Sequence, residues 1–254
     1  MRCAIISDIH GNLDALEAVL ADAGEVDAIW CLGDLVGYGP QPNECVALLR
    51  ERGALCVAGN HDRACIGMMD VNEFNPEASE AALWTHDQLT QEHIAYLAAL
   101  PERIKVGEEG EFTVVHGSPR EPVWEYLTHV SIARLNFGYF QTRYCLVGHT
   151  HVPLIFERLR SDEQPPDYRT LVPEAGAPLE LGLDRLIVNP GSVGQPRDGN
   201  PDAAYMTYES ADVAQGRAAT LTERRVTYPV ASVQQKMRRA GLPPRLITRL
   251  TYGW

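Results

Sequence analysis

Short apolar runs that stop abruptly at a glycine beside Asp, Asn or His recur along this chain. Residues 2–7 (RCAIIS), 28–32 (AIWCL) and 54–58 (ALCVA) are the first three, each read as a buried strand. Between the first two, Asn12 is placed to cap an amphipathic helix that carries Leu13, Leu16, Val19 and Leu20 on one face and ends near Gly24. A second helix is expected around 43–50. Strand–helix–strand alternation at this spacing predicts a parallel sheet with right-handed crossovers.

The pattern changes over 62–100, where helical periodicity (76–87, then 91–100) sets Trp84 and Tyr96 at core spacing. This stretch is expected to leave the sheet as a helical excursion packed beside its active edge. From Ile104 onwards strand signals dominate, at 112–116, 144–148, 152–158, 185–189, 203–208 and 218–226. Residues 161–183, rich in Pro, Gly and acids, read as an exposed loop or hairpin. The tail, 230–254, reads as a pair of basic helices (Lys236, Arg238, Arg239; Arg245, Arg249) broken at 241–244. Packing helices with a solvated face account for it better than a nucleic-acid patch. There is no internal repeat, so one domain over 1–254 with a helical appendage at 230–254 is the expected organisation.

Composition narrows the function classes. At 254 residues and 45% hydrophobic the chain can bury a full α/β core, and no apolar run reaches membrane-span length. A formal charge of -12 repels nucleic acid and anionic lipid at long range. It does not exclude a small phosphorylated substrate, because bound metal ions would reverse the local field. Of the six cysteines, Cys3, Cys31, Cys56 and Cys145 fall in apolar runs, Cys45 and Cys65 lie elsewhere, and no CxxC pair occurs. Reduced thiols packed as small hydrophobes are expected. The motif SDIHGN is complete by residue 12, which leaves no room for a signal peptide and suggests a cytoplasmic protein.

The chemistry gathers at strand ends. The run 29–40 (IWCLGDLVGYGP) delivers Asp34 to the C-terminal edge of the sheet, where open α/β folds place ligands. Asp8 and His10 follow the first strand, Asn60 and His61 the third, His116 a later one, and His149 and His151 another. Each has an ordinary alternative, since Gly-Asp favours turns and a lone histidine is commonly a hydrogen-bonded one. Asp8-x-His10 and His149-x-His151 are stronger signals, because alternate residues of an extended segment point the same way. All five segments together are hard to produce by turn chemistry. Carboxylate, amide and imidazole donors without thiolate suit Mn²⁺, Fe or Zn²⁺, and seven ligands suit two ions sharing a bridging carboxylate.

D-x-H, G-D-x(4)-G, G-N-H-D, a later H-G and G-H-x-H, in that order, resemble the calcineurin-like metallophosphoesterase superfamily. The resemblance continues into NPGSVGQPRDG at 189–199, similar to small bacterial members. It implies an α/β fold, an αββα sandwich of two mixed β-sheets flanked by helices. It also implies two divalent ions, Mn²⁺ foremost, with Fe, Zn²⁺, Co²⁺ or Ni²⁺ as alternatives. By motif position Asp8, His10 and His151 would hold one ion and Asn60, His116 and His149 the other, with Asp34 bridging. His61 would be the catalytic proton donor or charge stabiliser, and Asp62 would make supporting contacts. A hydroxide bridging the ions would attack phosphorus, so no Ser or Cys nucleophile is needed.

One departure bears on substrate. The serine/threonine phosphatase branch reads G-D-x-V-D-R-G, with an Asp that orients the histidine and an Arg that clamps phosphate. Gly37 and Tyr38 stand there instead. Loss of a bidentate arginine disfavours a dianionic phosphomonoester. A phosphodiester or small nucleotide-like ester is therefore expected, with Asn60, Tyr38 and Arg197 as substrate contacts and Arg120 as a further candidate arginine. The alternatives are a phosphomonoesterase or phosphoprotein phosphatase, a nuclease, which the acidic charge disfavours, and a decayed binding or scaffold module, which the filled ligand positions disfavour. Monomer and homodimer stay equally open.

Overall fold

The computed structural model describes residues 1–160 and 166–254. In chain order its elements are β1 (Arg2–Ile6), α1 (Leu13–Ala23), β2 (Ala28–Cys31), α2 (Pro42–Glu51), β3 (Leu55–Cys56), α3 (Asn60–Cys65), α4 (Pro76–Gln88) and α5 (Gln91–Ala99). Then come β4 (Arg103–Val106), β5 (Phe112–Val115), α6 (Val130–Asn136), β6 (Tyr144–Leu146), β7 (Pro153–Arg158), β8 (Tyr168–Leu171), β9 (Pro178–Glu180) and β10 (Arg185–Pro190). The chain closes with β11 (Ala203–Glu209), β12 (Thr220–Val226), α7 (Val230–Arg239) and α8 (Pro244–Arg249).

The strands form two mixed sheets, ordered β3-β2-β1-β11-β12-β9 and β4-β5-β6-β10-β7-β8. Period-2 alternation on strands buried on both faces explains how they stack. In β1, Cys3 and Ile5 face the second sheet and, with Trp30 of β2, pack on Phe112, Leu146 and Val188. Ala4 and Ile6 face the other way, onto Leu16, Val19, Val46, Leu49 and Leu246 of the helices. Val115, Cys145, Phe156 and Ile187 line the outer face of the second sheet beneath Ala133 and Phe137. Three apolar layers result, the αββα sandwich. Burial of each large side chain contributes about 2 kcal/mol.

Local chemistry sets the helix ends near the active edge. The Asn12 side chain accepts the N–H of Ala15, as an N-cap should, and its Nδ2 also donates to the carbonyl of Gly194. Gly24 closes α1 at φ 64°, its N–H on Leu20 O.

Several expectations change. The third strand shrinks to two residues, and the helical excursion begins at Asn60, because the GNH segment itself opens α3. Trp84 and Tyr96 are half-buried against the helical side of the core. Of the segment expected as an exposed loop or hairpin at 161–183, the first five residues lie outside the described ones. Within the rest, β8 pairs with β7 and β9 with β12, in different sheets, so the stretch connects the two layers. α6, too short for a periodic signal, is an addition. All six cysteines are buried and free. In the basic tail Lys236 meets Asp14 and Gln41, and Arg245 meets Glu77. None of the helices described is long and apolar enough to cross a membrane.

Candidate metal centre

β1, β2 and β3 run parallel in one sheet, β5, β6 and β10 in the other. Their C-terminal ends meet at one edge of the sandwich and bring together every candidate residue of the five strand-end segments. The backbone there is unusual. Among the described residues, the non-glycine positions with positive φ are Asp8 (54°), His10 (50°), Asp34 (54°), Tyr38 (58°), His149 (67°) and His151 (61°). This corrects the expectation that the D-x-H and H-x-H pairs act through extended alternation. Each pair turns through the left-handed region, at about 1–2 kcal/mol per residue. Neighbouring loops hold the strain in place: the N–H groups of Asp8 and His10 donate to Gly33 O and Asp34 O at 3.1 and 2.9 Å. Val193 and Gly194 donate to Ser7 O and Asp8 O, both at 2.9 Å.

Two groups of ligating atoms form, and Asp34 belongs to both. Asp8, His10, Asp34 and His151 are one; Asp34, His116 and His149 are the other, each with ligating atoms within 4.8 Å of one another. In the first, His10 Nε2 and His151 Nε2 lie 3.2 Å apart, and His151 Nε2 is 3.3 Å from Asp8 Oδ1. In the second, His116 Nε2 lies 3.1 Å from Asn60 Oδ1, 3.2 Å from His149 Nδ1 and 3.3 Å from Asp34 Oδ2.

The rings are oriented from behind. His10 Nδ1 faces Val36 O (3.2 Å), His151 Nδ1 faces Gln195 O (2.6 Å), His116 Nδ1 faces Leu32 O (2.8 Å) and His149 Nε2 faces Trp124 O (3.0 Å). A carbonyl accepts only, so each outer nitrogen carries the proton and each inner one offers a lone pair. Lone pairs aimed at each other repel unless a cation separates them. Asp34 Oδ2, buried and among the described residues approached only by the imidazoles of the site (His116 Nε2 at 3.3 Å, His10 Nε2 at 3.6 Å), lies between the two groups. A donor set of this kind fits two divalent cations.

The titrations follow. Burial holds His10, His149 and His151 well below the ordinary imidazole range. Burial also lowers His116, but the Asp34 carboxylate outweighs it and raises His116 to about 9. Burial, with the nearby charge of Asp34 adding to it, pushes Asp8 up to about 7. In the metal-free chain a proton on His116 thus stands in for the cation.

His61 enters from α3. Its N–H donates to Asp34 Oδ1 at 2.9 Å, and its ring lies 4.3 Å from Tyr38 and 4.9 Å from both His10 and Phe74. Burial lowers it to about 4. The next residue, Asp62, accepts the N–H groups of Asp34, Leu35, Val36 and Gly59 at 2.8–3.1 Å and locks the 33–36 loop. Close approach also explains Gly59, where a Cβ would sit 2.0 Å from Asp34 Oδ1.

Among the arginines, Arg197 lies 5.9 Å over the Tyr38 ring and reaches Gln195 Oε1 at 3.1 Å. Arg120 does not join the site: it pairs with Glu125, which Ser118 and Asn136 also hold. Tyr126 stacks on His149 at 3.7 Å, and Phe74, which packs on His61, lies 5.1 Å from Trp124. These were missed from sequence. They sit on irregular segments, with no motif to mark them.

A family model for the calcineurin-like phosphoesterase superfamily domain matches residues 1–212. A metallophosphoesterase structure from Sphaerobacter thermophilus is 50% identical with TM-score 0.85, the match covering 100% of this chain and 99% of that one. An uncharacterized protein of Methanocaldococcus jannaschii is 36% identical over 98% of this chain and 97% of its own. Shorter matches reach a symmetrical bis(5'-nucleosyl)-tetraphosphatase of Psychromonas ingrahamii (40% over 67 residues, 24% of each chain). They also reach serine/threonine-protein phosphatase 1 of Salmonella typhimurium (30% over 105 residues, 38% of this chain and 45% of that one).

Proposed function

Since the chain belongs to the calcineurin-like phosphoesterase superfamily, we propose that it hydrolyses a phosphodiester or small nucleotide-like phosphate ester at a dinuclear metal site. Asp8, His10 and His151 would hold one ion, Asn60, His116 and His149 the other, and Asp34 both. The observation that carries this reading is the buried Asp34 Oδ2 shared by two sets of inward-facing donors. When bound, two divalent ions supply an activated water and polarise the phosphoryl oxygens; Mn²⁺ is the ion we favour.

The chain's own residues do the rest. Asp62 holds the loop that aims Asp34, and the carbonyls of Val36, Gln195, Leu32 and Trp124 aim the four imidazoles. His61, neutral near pH 7, presents an N–H to the leaving oxygen and stabilises the charge that develops there as the ester bond breaks, the proton itself coming from water. Asn60, Tyr38 and Arg197 contact the substrate. Gly37 and Tyr38 leave no acid–arginine pair in the second motif, which favours a monoanionic diester over a dianionic monoester. One observation favours the monoester: among the described residues, no carboxylate forms an ion pair with Arg197, and its Nε is buried without a partner.

The test compares a chromogenic phosphodiester with the matching monoester, using protein stripped of metal and refilled with Mn²⁺, Zn²⁺ or Co²⁺. Diester turnover that requires metal and collapses in Asp34→Asn and His61→Ala is the expected result. A monoester preference reverses the substrate reading, and metal binding without turnover of either ester refutes the reaction.

A further inference from the structure

Arg120, the arginine that does not join the site, points to how one of the metal ligands is held. Three of the four imidazoles lean on carbonyls of segments that themselves form the centre. Leu32 continues β2 with its N–H on Ile6 O, Val36 is locked by Asp62, and Gln195 donates its N–H to Ser192 Oγ. His149 differs. Its Nε2 faces Trp124 O at 3.0 Å and its ring is covered by Tyr126 at 3.7 Å, and both come from an irregular stretch between β5 and α6.

Glu125 lies between those two contacts. Its side chain is 13% exposed, and both carboxylate oxygens are used. Oε2 accepts from Ser118 Oγ at 2.6 Å and from Asn136 Nδ2 at 2.8 Å, while Oε1 meets the Arg120 guanidinium. Asn136 also accepts the N–H of Arg120 at 2.9 Å. It is buried on α6, whose Ala133 and Phe137 pack against Val115, Cys145 and Phe156 of the second sheet. The turn is closed by Gly117 N–H on Pro122 O and Ser118 N–H on Glu121 O, at 2.6 and 3.1 Å. Gly117 follows the ligand His116 and is pressed on the same turn, since a Cβ there would stand 2.8 Å from Trp124 N. Contacts thus run unbroken from the core through Asn136 and Glu125 to Trp124 O and the Tyr126 ring, and end on His149. A carboxylate that satisfies donors from three residues makes a stiff node, because its removal orphans all of them.

We propose that Glu125 is a positioning residue for the ion of the His116–His149 set: anchored by Ser118, Arg120 and Asn136, it holds the 117–126 turn so that Trp124 O keeps the His149 proton on Nε2 and leaves Nδ1 free to ligate. The inference rests on the dinuclear site proposed above. It is asymmetric. The rings of His10 and His151 lean on Val36 and Gln195, so the ion of their set should not register a change at Glu125.

Two measurements read this without turnover. In the chelated full chain labelled with ¹⁵N-histidine, long-range ¹H–¹⁵N spectra should show His149 protonated on Nε2, and Glu125→Ala should let that proton average over both nitrogens. Mn²⁺ binding followed by electron paramagnetic resonance should show the second Mn²⁺ weakened by about tenfold or more in Glu125→Ala, with the first unchanged. Asn136→Asp, which sets a second carboxylate against Glu125, should act alike. Adding Glu125→Gln to it restores a donor–acceptor pair with the roles reversed, and should recover both signals. Arg169→Gln, at an exposed position on β8, should alter neither. An unchanged His149 spectrum in Glu125→Ala overturns the proposal, as does equal weakening of both ions, the result of a merely structural carboxylate. Failure of the reversed pair to recover either signal also overturns it. A wild type that takes up only one Mn²⁺ sinks the dinuclear site instead, and the His149 spectrum then decides the role of Glu125 by itself.

Discussion

Gly37 lies against the imidazole of His61: a Cβ built on Gly37 would stand 2.8 Å from His61 Nδ1, and that nitrogen is buried without a partner. A carboxylate placed at position 37 to fix the tautomer therefore has no room. His61 sits in an aromatic pocket of Tyr38 and Phe74.

Restoring the acid should harm, not help. Gly37 has φ 88°, a conformation that costs any L side chain, and the new group would push His61 off Asp34. Gly37→Asp is expected to destabilise by about 1–3 kcal/mol and to lower diester kcat without creating a monoesterase. Thermal melts with kinetics on both esters check this; a rise in monoester kcat contradicts it.

Asp62 supports the site through four buried N–H groups that, among the described residues, find no other acceptor. Asp62→Ala should cost about 3 kcal/mol or more, since each orphaned donor carries a penalty of about 1 kcal/mol or above. Chemical denaturation of the chelated protein measures it. A loss under 1 kcal/mol would mean that water replaces the carboxylate.

Metal uptake should release protons. His116, at about 9 in the metal-free chain, must lose its proton to ligate, and Asp8, at about 7, must lose one in the lower range. About one proton per site pair is expected at pH 8, approaching two below pH 7, so affinity rises with pH up to about 9. Calorimetry of Mn²⁺ or Zn²⁺ binding in buffers of different ionisation enthalpy reads the count directly. A proton count of zero at pH 7 excludes this charge arrangement.

Acid should destabilise the chelated protein in a defined window. His61 sits at about 4 when folded against 6.5 as a free imidazole, so between those values the unfolded chain binds more protons. Stability then falls as pH drops from 6.5 towards 4, by about 3 kcal/mol from this residue, with His10, His149 and His151 acting in the same direction. The wild-type melting temperature should decline more steeply across this window than that of His61→Ala. Parallel slopes would show that His61 is charged when buried.

Much of the site was legible because it is written at strand ends. An apolar run can stop at Gly33-Asp34 or at Gly148-His149 only where the backbone turns out of the sheet, and those ends share one edge in a parallel α/β arrangement. The convergence of Asp8, His10, Asp34, Asn60, His61, His116, His149 and His151 follows from that rule. The acid–arginine gap at Gly37 and Tyr38 was equally readable, since residue type alone carries it.

What lay beyond the sequence depended on contacts between distant segments. The left-handed turns at Asp8, His10, His149 and His151 are imposed by carbonyls and amides from neighbouring loops, so no local propensity announces them. Which imidazole nitrogen faces inward is decided by the carbonyls of Val36, Leu32, Trp124 and Gln195. The linking of the two sheets by β8 and β9, and the burial of Leu246, Ile247 and Leu250 in a tail that reads as solvated, arise from packing between distant segments. Periodicity and motif spacing determined the strands and the donor set, and the family resemblance implied the sandwich; long-range hydrogen bonds and close packing decided the strain, the tautomers and the walls, because those energies exist only once the chain has closed on itself.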